Sequence, residues 1–372
     1  MTAERDDSQH DQMPKYIEDG ITVAYRAIGL GAYGSAIRFI GMPLEKMALV
    51  MNSAQVSGAN QLRQAINLTF QDRRGGKSLL APYRVVGPAS GVAWFLQYSV
   101  MGGVFQLCDR ALSNVLEIPQ IPYGTQLMQD SSEDLQKEQS DVSTTLRRCA
   151  QIMLAPCFAG TIESVVANRA EVQRYYGIKK FSQIEAALKW NPLSKICGPA
   201  FIANSSRNCI MSATSFVVTP VLYRQYYPQE KKNKASLFWF GLGVNIFMGN
   251  VVAITQQALW GRALDYAASG KTVARNIHYR SVIQGGLACE GRSAFFTIPK
   301  WSTRVLMNAP VQGTLPWFYN ECLPLTEGYV LNVAKDLYAG FGKSSHDKKT
   351  LSSQTGRGYT YCDEEGSQVQ SN

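Results

Sequence analysis

Histidine is rare in this chain, and paired cysteine motifs are missing from it. The three histidines, His10, His278 and His346, are scattered, so a histidine-based metal site or catalytic triad has almost no material. Eight cysteines occur without any Cys-x-x-Cys pair, and a disulfide framework is not expected in a chain this long. Cys149, Cys157, Cys197 and Cys209 sit in apolar context, where free cysteine is a small buried hydrophobe. Long basic runs are missing too, although the net charge is +9. Arg73-Arg74, Lys179-Lys180, Lys231-Lys232 and Lys348-Lys349 are short and fall between apolar segments. That distribution suits loops facing anionic lipid headgroups better than a nucleic-acid face, so no nucleic-acid partner is expected. The N-terminus, MTAERDDSQHDQ, is acidic and polar, unlike a secretory signal or an Arg-rich transit peptide, and no cleavable presequence is expected. No catalytic constellation, metal site or cofactor motif emerges, and an enzyme is not expected.

What the chain does have is apolar length. Only 17% of its residues are charged, below the usual quarter. Residues 85–108, VVGPASGVAWFLQYSVMGGVFQLC, carry no charge, nor do residues 235–261, ASLFWFGLGVNIFMGNVVAITQQALW followed by Gly261. Each is long enough to cross a bilayer. Both contain small residues, which permit close helix contact, and embedded Ser, Asn or Gln, which hydrogen-bond between helices. Four weaker segments, 21–54, 149–172, 196–223 and 305–322, are each interrupted by one or two charges: Arg38 and Glu45, Glu163, Arg207, and Glu321. Lone charges within spanning helices face an interior rather than lipid. The rival reading makes these the amphipathic helices of a large soluble protein, with the charges solvated.

Shorter amphipathic stretches, 58–72, 181–190 and 278–291, fall between the long ones. The order long, short, long therefore occurs three times, with Arg207 and Arg304 setting a period near one hundred residues. Such a repeat fixes the architecture. The expected division is a polar extension (1–20), repeat one (21–116), an acidic polar loop (117–145), repeat two (146–228), repeat three (229–340) and a polar, non-helical tail (341–372). The glycines of 29–34 are spaced as helix contacts, not as a phosphate loop, since no strand precedes them.

Within repeat one, Pro43 and Glu45 stand together between two apolar stretches. Proline kinks a helix, and a carboxylate there must pair or reach water. The run from Pro43 through Met51 is similar to the odd-helix signature Pro-x-Asp/Glu-x-x-Lys/Arg of the mitochondrial carrier family, and is nearest the first repeat of the ADP/ATP carriers. In repeat three, Glu290, Gly291, Phe295 and Phe296 resemble that family's Glu-Gly turn and aromatic pair. Arg207, Ala213 and Phe216 match its even-helix spacing, with Ile210 in place of a proline, and Gly102, Phe105 and Asp109 match the later part of it in repeat one. The resemblance covers roughly residues 20 to 338.

It implies an all-α membrane protein with six tilted transmembrane helices in three pseudo-repeats, with short matrix-side amphipathic helices, in the inner mitochondrial membrane. It also implies roles. Pro43 would kink the first helix, Glu45 and Asp109 would be remnants of the two gates, and Gln257 would brace the first gate by hydrogen bonding. Arg207 and Asn208 would contact substrate, with Arg304 a further candidate, and guanidinium suits a carboxylate or phosphate. Arg207 could instead pair with an acid such as Glu163. The departures are plain: Ala48, Asn168 and the stretch 255–260 lack the family's gate charges, and Leu96, Val100 and Val104 give repeat one an apolar wall. Cardiolipin is an expected lipid, although Tyr83-Arg84-Val85 and Phe296-Thr297-Ile298 lack the glycine of the family's lipid turn. Two functions follow. One is a carrier moving a small carboxylate or nucleotide-like anion by alternating access. The other is a non-transporting subunit of a larger mitochondrial membrane complex, held through the N-terminal extension, the 117–145 loop and the tail.

Overall fold

A computed structural model describes residues 13–51, 60–71, 75–85, 88–124, 142–176, 181–184, 192–268 and 277–354. All regular structure among them is helical; Gln71 and Lys77 form one isolated bridge. The elements are α1 (Lys15–Ile40), α2 (Met42–Met51), α3 (Gln61–Phe70), α4 (Ala81–Val85), α5 (Pro88–Leu116), α6 (Val142–Tyr176) and α7 (Pro192–Cys197). They continue with α8 (201–226), α9 (Lys234–Ala268), α10 (Tyr279–Glu290) and α11 (298–354), where α8, α9 and α11 each contain π-helical turns. Two compact units are present: Val23–Thr326, and Met1–Thr22 with Glu327–Asn372. In the smaller one Lys335 pairs with Glu18 at 3.0 Å.

The larger unit is a closed ring of six long rods in chain order. The first rod is α1 and α2, broken at Gly41, with Pro43 in the first turn of α2. Proline is tolerated there because its missing N–H would have no intrahelical partner. Glycines set the contact of this rod with α5. A Cβ on Gly34 would meet the Tyr98 ring at 2.3 Å, and one on Gly31 the Phe95 carbonyl at 2.8 Å. Next, α5 packs on α6, α6 on α8, α8 on α9 and α9 on α11. The ring closes where α11 returns to the first rod: Tyr33 stacks on Phe318 at 4.0 Å and its hydroxyl shares a hydrogen bond with Thr314 at 2.6 Å. The closest approach to another helix's backbone is α6 on α8, where a Cβ at Gly160 would lie 2.3 Å from the Cys209 nitrogen.

Three neighbouring rods carry π turns at one level, Thr214–Val218, Asn245–Gly249 and Ala309–Gly313. A π turn shifts the carbonyl ladder, and polar side chains bond the displaced groups. Thr219 Oγ1 donates to the Thr214 carbonyl at 2.8 Å, and Asn250 Nδ2 to the Asn245 carbonyl at 3.0 Å. The short helices α3, α7 and α10 all attach at one end of the ring, to α2, α6 and α9 respectively. There Arg262 ties α9 to the turn after α10 through Glu290 at 2.6 Å and the Ala294 carbonyl at 3.0 Å.

Many polar side chains are buried beside the apolar core, while many large apolar ones are exposed. Asn204, Ser212, Asn245, Asn250 and Asn308 are 1% exposed or less, while Phe158, Trp239, Phe247 and Leu306 are more than half exposed. Contiguous exposed apolar surface marks contact with lipid or protein.

Several boundaries differ from the sequence reading. Helices long and apolar enough to cross a membrane, among the described residues, are Val142–Tyr176 and Lys234–Ala268. The expected charge-free span 85–108 becomes a helix running to Leu116, through Asp109 and Arg110, while the segment interrupted by Glu163 passes the test instead. Helix α6 begins at Val142, inside the expected 117–145 loop. The expected non-helical tail is helical as far as Gln354. Propagating an existing helix carries no nucleation cost, so polar residues of fair propensity extend it. The rest of the tail, residues 1–12 and most of the 117–145 loop lie outside the described residues.

Candidate functional site

At the end of the ring that bears the short helices, all six rods send a side chain inward. The break at Gly41 turns the last turn of α1 toward the first turn of α2, and Arg38 Nη1 pairs there with Glu45 Oε2. Arg38 Nε also donates to the Tyr98 hydroxyl of α5 at 2.8 Å. From α8, Arg207 uses its whole fork. Nη2 donates to Glu171 of α6 at 2.9 Å, Nη1 to Gln257 of α9 at 2.6 Å, and Nε to its neighbour Asn208 at 2.9 Å. Asn208 in turn donates to Ser164 Oγ at 2.9 Å.

Two further guanidinium groups are less well served. Arg174 comes no nearer Glu171 than 4.0 Å, lies over the Trp94 ring at 5.1 Å, and has a buried Nη1 without a hydrogen-bond partner. With the Asn308 amide turned so that its oxygen faces the guanidinium, Arg304 of α11 donates Nε and Nη2 to it at 2.7 and 3.0 Å. No carboxylate among the described residues comes within salt-bridge distance of Arg304. Four buried guanidinium groups thus meet two ion-paired carboxylates, an excess of two positive charges. With Ala48, Leu49, Trp260 and Met307 they enclose a cavity of about 20 Å³, room for one water.

The sequence-predicted residues divide cleanly. Glu45, Arg207, Asn208, Gln257 and Arg304 come together in this cluster, and Pro43 stands at the kink that orients Glu45. Asp109 lies at the other end of the ring. Arg207 pairs with Glu171, not Glu163, which sits eight residues earlier on α6, about 12 Å along the axis. The closure expected to be eroded is well supplied with charge, from Arg38, Glu171 and Arg174, which sequence reasoning did not place here. A signal existed: Glu171 and Arg174 stand three apart near the end of α6, and Arg38 and Glu45 flank the proline. The apolar wall expected at Leu96 is a one-residue register error. Leu96 is 44% exposed and Gln97 is buried. Asn168, at a position expected to need an acid, is a satisfied amide. It donates to the carbonyls of Cys197 and Pro199 at 2.7 and 3.0 Å and accepts from Asn204 and Trp260.

The opposite end is closed differently. After α5 the chain turns at Glu117, whose φ is +54°, and residues 118–124 fold back over the ring. Asp109 accepts from the Ile121 amide at 3.1 Å and from Gln151 Nε2 at 2.8 Å. Ile121 joins the buried cluster of Phe105, Phe216 and Tyr319. Arg26 lies 3.6 Å over the Tyr123 ring, Tyr123 meets Tyr319 edge-on at 4.7 Å, and the Gly124 amide donates to Asn320 at 2.9 Å. Beneath this strip a cavity of about 30 Å³ touches Arg26, Gln106 and Asp109.

No protein-family model, curated protein or solved structure matches the chain.

Proposed function

We propose that this chain is a divergent carrier of mitochondrial type, with its six rods crossing the inner membrane, that moves a small carboxylate- or phosphate-bearing anion. The ring in chain order, the three short helices at one end and the exposed apolar exterior all support the membrane reading. Spanning helices tolerate interior charge where it lines a path. The observation that carries the anion is the excess of guanidinium: Arg304 has no described carboxylate within salt-bridge distance, and Arg174 keeps an unpartnered donor. Such groups in a low-dielectric interior favour a planar or tetrahedral anion strongly. Arg174 and Arg304 would hold it, with Arg207 and Asn208 beside them, and the pairs at Glu45, Glu171 and Gln257 would rearrange as the end opens.

Uptake of labelled phosphate, succinate and ADP by proteoliposomes carrying the purified full chain tests this. Saturable uptake of at least one, cut tenfold or more by Arg304→Gln, is the expected result.

A second reading has its own support. The strip 118–124 is seated in the ring while the charged end is also shut, as in a subunit that no longer transports. No uptake by a folded protein, together with comigration with a large assembly on native gels of gently solubilised mitochondria, would select it.

A further inference from the structure

One buried acid takes no part in either closure. Glu163 lies on α6 between them, about 12 Å from Glu171 and about 18 Å from Gln151 along the axis. It is 2% exposed. Gln97 Nε2 of α5 donates to its Oε1 at 2.6 Å, and Oε2 has no hydrogen-bond partner among the described residues. The charged and titratable groups facing it are Arg207 on α8, Glu171 on its own helix, Arg38 on α1 and Tyr98 on α5. Both guanidinium groups are already engaged: Arg207 by Glu171, Gln257 and Asn208, and Arg38 by Glu45 and Tyr98. Glu163 is therefore a deeply buried carboxyl with one neutral donor, where ionisation is costly. Opposing that cost is the unbalanced charge of the neighbouring cluster, which favours the carboxylate.

These two effects make Glu163 responsive to whatever occupies the cluster. With Glu163 ionised the cluster keeps an excess of one positive charge; with a proton on Glu163 the excess is two. Resting on the anion-carrier reading above, we propose that Glu163 binds a proton when a dianion binds at Arg174 and Arg304, so that anion and proton load together. The bookkeeping is simple: the carboxylate oxygen takes one proton from solvent as the dianion cancels the guanidinium excess that had held it ionised. By linkage, a proton on Glu163 must then tighten anion binding by the same factor that the anion tightens proton binding.

Calorimetric titration of the full chain in a neutral detergent tests this, with sulfate as the probe because it carries no proton of its own near neutral pH. Titrations in buffers of low and high ionisation enthalpy count protons directly. The expected result is uptake of about one proton per sulfate, with affinity weakening by up to about tenfold per pH unit as pH rises. Glu163→Gln should bind sulfate with no proton uptake and no pH dependence. On wild type alone, the infrared carbonyl band of a protonated carboxyl should grow on adding sulfate, which keeps the proposal testable if the variant misfolds. Sulfate binding with no proton uptake, or uptake retained in Glu163→Gln, overturns the proton site and leaves the anion reading standing. No sulfate binding at all overturns both.

Discussion

At one end of the ring the rods are drawn together by their own charged side chains; at the other a separate strip of chain lies among aromatic rings. The charged end spans rods through Arg207, which reaches α6 and α9 at once, and through Arg38, which reaches α5. Its Arg38–Glu45 pair lies within a single kinked rod and can persist when rods separate. The strip, by contrast, is held by Asp109, by Arg148 and Gln151 on the Pro119 carbonyl, by Asn320 and by a patch of ring contacts, all of which must be lost as a unit. The difference teaches where cost resides. Separating the charged end exposes ions that water or an anion can solvate in turn, whereas freeing the strip exposes Ile121 and the faces of Phe216 and Tyr319.

The largest effect that could break this comparison is at Glu171. Glu171→Ala leaves Arg207 without its carboxylate and Arg174 without its nearest acid. Removing one partner of a buried ion pair costs about 3–5 kcal/mol, and thermal unfolding in neutral detergent should show a large loss. Asp109→Ala at the other end removes an acceptor from a backbone amide and a glutamine, worth about 1–3 kcal/mol. If the two variants lose equal stability, the charged end is no stronger than the strip.

A sharper test reads position rather than total stability. In an Ile121→Cys background, maleimide labelling should accelerate when Asp109→Ala is added, because the Ile121 amide loses its acceptor and the strip lifts. Adding Glu171→Ala should leave the labelling rate within about twofold, provided the ring stays folded. Acceleration by both would mean that the two ends are one cooperative closure.

Much of the ring was legible in the sequence, and the reason is periodicity. Six long apolar segments alternating with short amphipathic ones, and one proline beside one acid, are local signals that survive without a partner in view. Pro43 and Glu45 stand out on such signals, whereas Arg207, Asn208, Arg304 and Gln257 are singled out by the resemblance to the carrier family. What stayed hidden needed register or distance. Leu96 and Gln97 differ by one residue, and a 100° rotation about the helix axis moves the wall from apolar to polar. Arg174 stands three residues from Glu171, but only the packing of α6 beside α8 shows Glu171 lying between it and Arg207. The strip 118–124 had no signal as a closure. It reads as a proline-containing loop after α5, and its role depends on Asp109, twelve residues before Ile121, and on Asn320 of α11, two rods from α5 around the ring.

Asn320 supplies the smallest and most local prediction. Its Oδ1 accepts from the Gly124 amide at 2.9 Å while its Nδ2 donates to the Pro316 carbonyl at 2.7 Å. Gly124 has φ +60°, a conformation glycine adopts without strain, so the amide is aimed by the backbone and not by a side chain. Asn320→Ala should therefore cost only about 0.5–1.5 kcal/mol. Because Tyr123 on Tyr319 and Ile121 on Phe216 remain, the loss should appear at the end of the strip and not in the ring. In hydrogen exchange, the Gly124 amide should lose protection in this variant while the Ile121 amide, still bonded to Asp109, keeps it. Loss of protection at both would mean that the strip lifts as one piece, and that its hold comes from its far end and not from Ile121 seated among the rings.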